Sequence, residues 1–297
     1  MSRPVVLWRF SDGRAGHDSQ SLGLARALAA RRPLSLHTLG PDCCRRAWRY
    51  WMRGRFPPGE ALPAPDILLG AGHATHPALL AARRARGGRA LVLMRPSLPL
   101  SWFDLCVIPA HDRPPARPNV LVTRGVLSRV GPGGRHDAAR GLVLIGGPSR
   151  HHGWDADRLL DQLRALRAAR PVRHWTLALS PRTPPGFDSA LRALGMAPYR
   201  DAHDPDWLAA QLADAGEVWV TADSVSMLCE ALASGARVGV LAMPVRRPGR
   251  VTRALDDLVA GGWLAPPGSL CLAEPVPAPL DEAARCAKWL EQRWLAA

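Results

Sequence analysis

The stretch Ser11-Asp12-Gly13-Arg14-Ala15-Gly16-His17 sets a carboxylate, a guanidinium and an imidazole close together between glycines. Asp12 or His17, on equal terms, could take a proton from a reacting hydroxyl, and Arg14 could pair an anion. Gly13 and Gly16 would let the backbone approach that anion. A second segment reads Thr221-Ala222-Asp223-Ser224-Val225-Ser226, with Glu230 beyond it. Hydroxyls at a helix start meet free backbone N–H groups and the positive end of the helix dipole, which suits a phosphate. Ser226 and Glu230 stand four apart and so project from one helical face. A nucleoside diphosphate would rest its phosphates on the amides and hydroxyls and its ribose on the carboxylate. Capping alone also accounts for Asp223 or Ser224.

Four further segments share this design. Ile145-Gly146-Gly147-Pro148-Ser149 ends an apolar run in a turn whose glycines leave room for phosphates, and Ser180-Pro181-Arg182-Thr183 adds hydroxyls and a guanidinium suited to bidentate phosphate contact. His73 follows Gly70-Ala71-Gly72, and His111-Asp112 follows Pro109-Ala110. His111 beside Asp112 makes an acid–base unit only if the two side chains converge, and neighbours on an extended chain point apart. A solvated turn explains that pair equally well.

Other chemistries find no support. There is no Gly-x-Gly-x-x-Gly, no Gly-x-x-x-x-Gly-Lys-Ser/Thr, and no Gly-x-Ser-x-Gly that would make Ser224 a hydrolase nucleophile with His73 or His151. His151 and His152 lack a third ligand at helical spacing, and the six cysteines include no Cys-x-x-Cys pair, so neither a metal site nor a disulfide is expected.

These loops need strands and helices to place them. Pro4 to Phe10, Asp66 to Gly70, Ala90 to Arg95, Leu105 to Pro109 and Asn119 to Thr123 read as buried strands, with helices over 19–30 and 77–86. The segment 129–137, rich in Gly and Pro, reads as a linker. Beyond it the theme restarts: strands over 141–145, 174–179, 217–221 and 237–241, a helix over 155–169 capped by Asp155, and a closing amphipathic helix over 280–294. Strands alternating with helices predict parallel sheets covered on both faces. The expectation is α/β: two tandem Rossmann-like domains, 1–137 and 138–297, with parallel sheets facing across a cleft and the last helix free to pack back on the first domain. Ligands in such folds lie at the carboxyl ends of the strands.

Hydrophobic residues make up 47% of the 297, enough for two packed cores. No apolar run approaches the ~18 residues of a membrane span, so a cytoplasmic protein is expected. Of the 39 basic residues only Lys288 is lysine, and 21 basic against 8 acidic fall within 1–137, compared with 18 against 17 in the rest. That asymmetry suits an anionic partner of the first domain, such as a membrane face. The run Cys43 to Phe56, with Trp48, Trp51 and Met52 among Arg45, Arg46, Arg49 and Arg53, reads as a candidate interfacial helix on the inner membrane surface. Packing against its own domain is the competing account. Nucleic acid is disfavoured, since no zinc-finger, ribonucleoprotein or helix-turn-helix pattern is present.

Trp8 with the Ser11–His17 motif and Gln20, Phe103-Asp104, Pro109-Ala110-His111-Asp112, Ile145–Ser149, and Thr221–Met227 with Glu230-Ala231 occur in order along the chain. In these segments it resembles the elongated-mitochondria (Elm) family of mitochondrial fission proteins and their bacterial relatives. That family in turn resembles the GT-B glycosyltransferases, including the enzyme that adds N-acetylglucosamine to the lipid-linked peptidoglycan precursor. There the C-terminal domain takes the nucleotide sugar and the acid of a Glu-Ala-x-Ala-x-Gly helix meets the ribose; Glu230-Ala231-Leu232-Ala233-Ser234-Gly235 matches it. The glycine-rich loop ending in His lies on the acceptor side there, and Gly13 to His17 occupies the corresponding place without the Gly-Gly-x-Gly-Gly form. The resemblance therefore implies a glycosyltransferase that moves a sugar from a nucleoside diphosphate to an anionic or lipid-linked acceptor, with no metal or separate cofactor. Gly146, Gly147, Ser149, Arg182, Thr183, Thr221, Asp223, Ser224, Ser226 and Glu230 would face the donor. Gly13, Arg14, Gly16, His73, His111 and Asp112 would face the acceptor, with His17 or Asp12 as base. Plant members resemble adaptors for a fission dynamin, so a scaffold without turnover is a second implication; a sugar-nucleotide epimerase of the same fold is a third.

Overall fold

The computed structural model describes residues 3–196, 198–199, 204–274 and 279–295. In the first half, β1 (Val5–Phe10) is buried at every position, as a strand covered on both faces must be. It is followed by α1 (Ala15–Ala29), β2 (Leu34–Leu39), α2 (Asp42–Arg45), α3 (Ala47–Arg53), β3 (Ile67–Ala71), α4 (His76–Arg86), β4 (Arg89–Leu93), β5 (Leu105–Pro109) and β6 (Val120–Thr123). The strands form one parallel sheet in the order β2-β1-β3-β4-β5-β6. The chain leaves β1 to one side for β2 and returns on the other side for β3, which opens a crevice between the carboxyl ends of β1 and β3.

In the second half come β7 (Asp137–Ile145), α5 (Ala156–Ala169), β8 (His174–Leu179), α6 (Phe187–Ala193), α7 (Pro205–Asp214), β9 (Ala215–Thr221), α8 (Val225–Ser234), β10 (Arg237–Leu241) and α9 (Arg250–Ala260). This parallel sheet runs β10-β9-β7-β8, so the same reversal falls between β7 and β9. The chain ends in α10 (Glu282–Trp294).

The compact units are Met1–Arg129 with Glu282–Ala297, and Val130–Asp281. The sequence placed the break at 137/138. Val130 already belongs to the second core, and His136 Nδ1 bonds Ala215 O at 3.0 Å, which ties the glycine-rich segment to β9. The closing helix does pack on the first unit: Cys286, Ala287 and Leu290 share a core with Leu24 and Leu28 of α1, and Glu291 Oε2 accepts from Arg31 Nε at 2.7 Å.

Three expectations change. Helix α1 starts at Ala15 rather than Ser19, so Gly16 and His17 sit in its first turn instead of a loop. The edge strand β2, Leu-Ser-Leu-His-Thr-Leu, was not anticipated because its alternation is only half-buried. The Cys43–Phe56 run is two short helices broken at Arg46, not one amphipathic helix; Tyr50 and Trp51 pack on the core while Trp48 and Met52 stay exposed.

Candidate functional site

Both crevices hold an aspartate just beyond a strand. In the first unit, Asp12 follows β1, and Asp12 Oδ2 lies 2.8 Å from His17 Nδ1. The Asp12 side chain is 6% exposed and that of His17 21%. Asp12 Oδ1 accepts from Arg14 N at 3.2 Å and Ser11 Oγ from Gly13 N at 3.1 Å, folding the loop into a tight turn for which Gly13 takes φ +79°. With both Asp12 oxygens engaged, an ionised Asp12 puts the proton on His17 Nδ1 and leaves Nε2 as the lone-pair nitrogen.

Gly72, beyond β3, completes the crevice. It has φ +85°, and a Cβ there would meet His17 Nδ1 at 2.3 Å and Asp12 Oδ2 at 2.8 Å, so the Asp12–His17 pair packs directly on the Gly72 backbone. Next to it His73 is exposed, and its ring meets that of buried His76 edge-on at 5.7 Å. Burial, with His73 as a lesser cause, pulls His76 down to about 4.

The remaining acceptor-side candidates divide. Arg14 and Gly16 are exposed at the start of α1, and nothing lies within 4 Å of a Cβ placed on Gly16. His111 is buried in a 3-10 turn, while half-buried Asp112 offers its carbonyl to Arg95 Nη1 at 3.2 Å. Their environments differ, as expected for neighbours whose side chains diverge.

In the second unit, Asp223 follows β9 with a side chain that is 0% exposed, and its Oδ2 accepts from Arg182 Nη2 at 2.6 Å and Gly147 N at 3.2 Å. Thr221 Oγ1 accepts from Gly146 N at 2.8 Å, and Thr183 Oγ1 donates to Gly146 O at 2.6 Å. Arg182 Nη1 also donates to Gly147 O at 2.9 Å. A Cβ on Gly146 would fall 2.2 Å from Asp223 Oδ2, and one on Gly147 2.1 Å from Arg182 O. These glycines therefore admit protein rather than leaving space for phosphates, and their amides are already bonded. Ser149 Oγ accepts from His151 N and His152 N at 3.2 and 3.0 Å, closing its own turn. Most of the expected donor-binding set thus bond one another and form a frame.

On that frame stands α8. Ser224 caps it, its Oγ accepting from Met227 N at 3.5 Å, and Gly235 ends it with φ +94°. Ser226 is exposed in the first turn and Glu230, one turn on, is half-buried. Behind the frame, buried His152 is held below its usual range, chiefly by desolvation and against the pull of Asp223.

Two residues near the first crevice escaped the sequence reading. Arg9, 6% exposed within apolar β1, donates to Asp18 Oδ1 at 2.6 Å and Ser21 Oγ at 3.1 Å, anchoring the start of α1. Its signal is a lone charge inside a buried run. Met94, at the end of β4, holds φ +68° and accepts from Gln20 Nε2 at 3.5 Å; no sequence signal marks it, and such backbone outliers gather at functional sites. Among the described residues no cluster of three metal-ligating side chains forms, and no helix is long and apolar enough to cross a membrane.

Two open parallel α/β sheets in one chain, each with its crevice at a strand-order reversal, define the GT-B class of fold. Residues 15–294 match the family described as Mitochondrial fission ELM1, and the chain belongs to that family. Solved structures agree on the fold. A UDP-GlcNAc 2-epimerase from Neisseria meningitidis bound to UDP-GlcNAc is similar at 10% identity and TM-score 0.54, over 98% of this chain and 92% of that one. The glycotransferase of kitacinnamycin matches at 15% identity and TM-score 0.52, over 99% and 100%. A Listeria monocytogenes protein assigned as a UDP-N-acetylglucosamine 2-epimerase matches at 13% and 0.56, over 99% and 97%. No curated protein sequence matches the chain.

Proposed function

We propose that this protein transfers a sugar from a nucleoside diphosphate donor held by the second unit to an anionic or lipid-linked acceptor met by the first. The observation that carries the reading is the junction between β7 and β9. Four hydrogen bonds among Gly146, Gly147, Arg182, Thr183, Thr221 and Asp223 brace the start of α8, so that the first-turn amides Ser224 leaves open and the Ser226 hydroxyl form a preset anion site. The exposed edge of Arg182 would add charge, and Glu230 would take the ribose hydroxyls. In the first unit His17 would accept the acceptor proton through Nε2, with Asp12 fixing its tautomer as the carboxylate of a catalytic triad does. The sugar leaves the diphosphate as the acceptor oxygen bonds its anomeric carbon, and the displaced diphosphate charge falls to the helix dipole.

Calorimetric titration of UDP, GDP, ADP and their sugars tests the donor site. Saturable binding of one of them, weakened about tenfold by Ser226→Ala or Glu230→Ala, is expected; no saturable binding by any of them overturns the reading. Incubating the bound sugar nucleotide without acceptor separates transfer from epimerisation, since only an epimerase would convert it.

A surface observation supports a second, scaffolding reading. Trp48 and Met52 of α3 are 44% and 68% exposed beside the arginines of that helix, and Trp102, 42% exposed, lies by Arg83 and Arg84 of α4. Aromatic and basic side chains together suit an anionic bilayer surface. Salt-sensitive sedimentation with acidic vesicles that survives His17→Ala and is lost on neutralising Arg45, Arg46 and Arg49 would favour it; equal sedimentation with neutral vesicles would count against it.

A further inference from the structure

At the start of β8, far from the α8 junction, the second unit carries a cavity of about 400 Å³ lined by Arg164, Arg167, Arg170, Arg173, Trp175 and Leu194, among others. The size is that of a small-molecule site. The Trp175 to Ser180 stretch of parallel strand separates this cavity from the Ser180–Thr183 loop by about 16 Å. Residues 164, 167 and 170 recur at a spacing of three on α5 and its C-cap, which brings their side chains to one face.

The charges there do not cancel. Buried Glu217, 3% exposed, pairs with two guanidiniums, Arg170 Nε at 2.5 Å and Arg173 Nη2 at 2.9 Å. Arg164 is paired with surface Asp161 at 2.6 Å, and Arg167 Nη1 donates to the Leu194 carbonyl. The lining keeps a surplus of positive charge. Two buried donors, Arg173 Nε and Trp175 Nε1, have no acceptor. A helix C-terminus favours basic residues on its own account, and Glu217 holds Arg170 and Arg173, but neither places Arg164 and Arg167 on the same cavity.

We propose that this pocket binds a small, soluble, multiply phosphorylated molecule. Guanidinium forks match phosphate oxygens two by two, and the Trp175 ring forms one wall of the pocket. The charge excess calls for more than one anionic group. The ligand would sit at the opposite end of the β8 strand from the proposed donor site, and the two sites are separable by mutation.

The test reads the indole N–H resonances of the 15N-labelled full chain as inorganic pyrophosphate or tripolyphosphate is added at matched chloride, with Trp175→Phe identifying the Trp175 signal. A saturable shift of that signal is expected, weakened about tenfold or more in Arg164→Gln/Arg167→Gln and unchanged in Ser226→Ala. No shift at Trp175, equal affinity in the double variant, or a response to acidic vesicles but not to the free phosphates would overturn the proposal. Exposed Arg164→Gln alone gives a graded loss if the double variant fails to fold, and the assigned Trp175 signal of the unmodified chain decides without any arginine variant. Loss of nucleotide-sugar binding with the Trp175 shift intact would sink the donor site and leave this pocket standing.

Discussion

The two crevices are built alike and bonded differently. Each has an aspartate beyond a central strand, Asp12 after β1 and Asp223 after β9, and each aspartate packs on a glycine from the adjoining strand's loop, Gly72 or Gly146. In the first unit the partner is a titratable imidazole that keeps one ring nitrogen available. In the second it is a guanidinium that never gives up its proton, and the carboxylate is wholly buried. One geometry therefore suits proton traffic and the other a fixed electrostatic frame. The lesson is that a fold position does not assign a role; the partner of the carboxylate does.

The largest effect tests the proton-bearing crevice. His17→Ala should lower the transfer rate by roughly 10²–10⁴ with donor affinity intact, read as kcat against the Kd from titration; a change confined to affinity would break the contrast. Gly146→Ala should cost about 3 kcal/mol, because its Cβ would fall 2.2 Å from a carboxylate that Arg182 and Gly147 hold in place. Urea unfolding measures it. Asp223→Asn should destabilise by about 2 kcal/mol, since Arg182 loses its counter-charge in a half-exposed setting, whereas Asp12→Asn should change stability by less than about 1 kcal/mol. Equal losses in the two variants would erase the distinction.

The first unit carries a pH response. His76 titrates near 4 in the folded chain, against 6.5 ordinarily, so the unfolded state binds the proton first as pH falls. Its contribution to stability is whole above about 6.5 and is lost on going down toward 4, about 2 kcal/mol of it between pH 7 and 5. His76→Gln should flatten that part of the urea-midpoint profile. Smallest is Gly16→Ala, with nothing near its Cβ in the first turn of α1. A gain of about 0.5–1 kcal/mol is expected; a matching loss of acceptor binding would show that the backbone is kept bare for a ligand.

Much of the site was legible because chemistry and element boundaries coincide in the chain. The apolar run Val5 to Phe10 ending at Ser11-Asp12 and the run Val218 to Val220 ending at Thr221 announce strands that stop where polar residues begin. Capping by Asp155 and Ser224 followed from local hydrogen bonding. Less legible was the start of α1, where glycine suggested loop although Arg9 and Asp18 anchor the helix across the sheet. Gly146 and Gly147 looked like space for phosphate because an absent side chain reads the same whether protein or ligand fills the gap.

The one-dimensional pattern sufficed for the alternation of strands and helices, the parallel character of both sheets, the family, and which residues could do chemistry, because periodicity and capping act over a few residues. Only the tertiary structure decided which of these groups meet. It paired Asp223 with Arg182 forty-one positions away, turned Thr183 and Thr221 inward as framing bonds, returned α10 to the first unit, and gathered arginines from α5 and the turn before β8 around a cavity. Those partnerships depend on strand order and on burial across the sheet, where long-range contact and desolvation outweigh any preference carried by neighbouring residues.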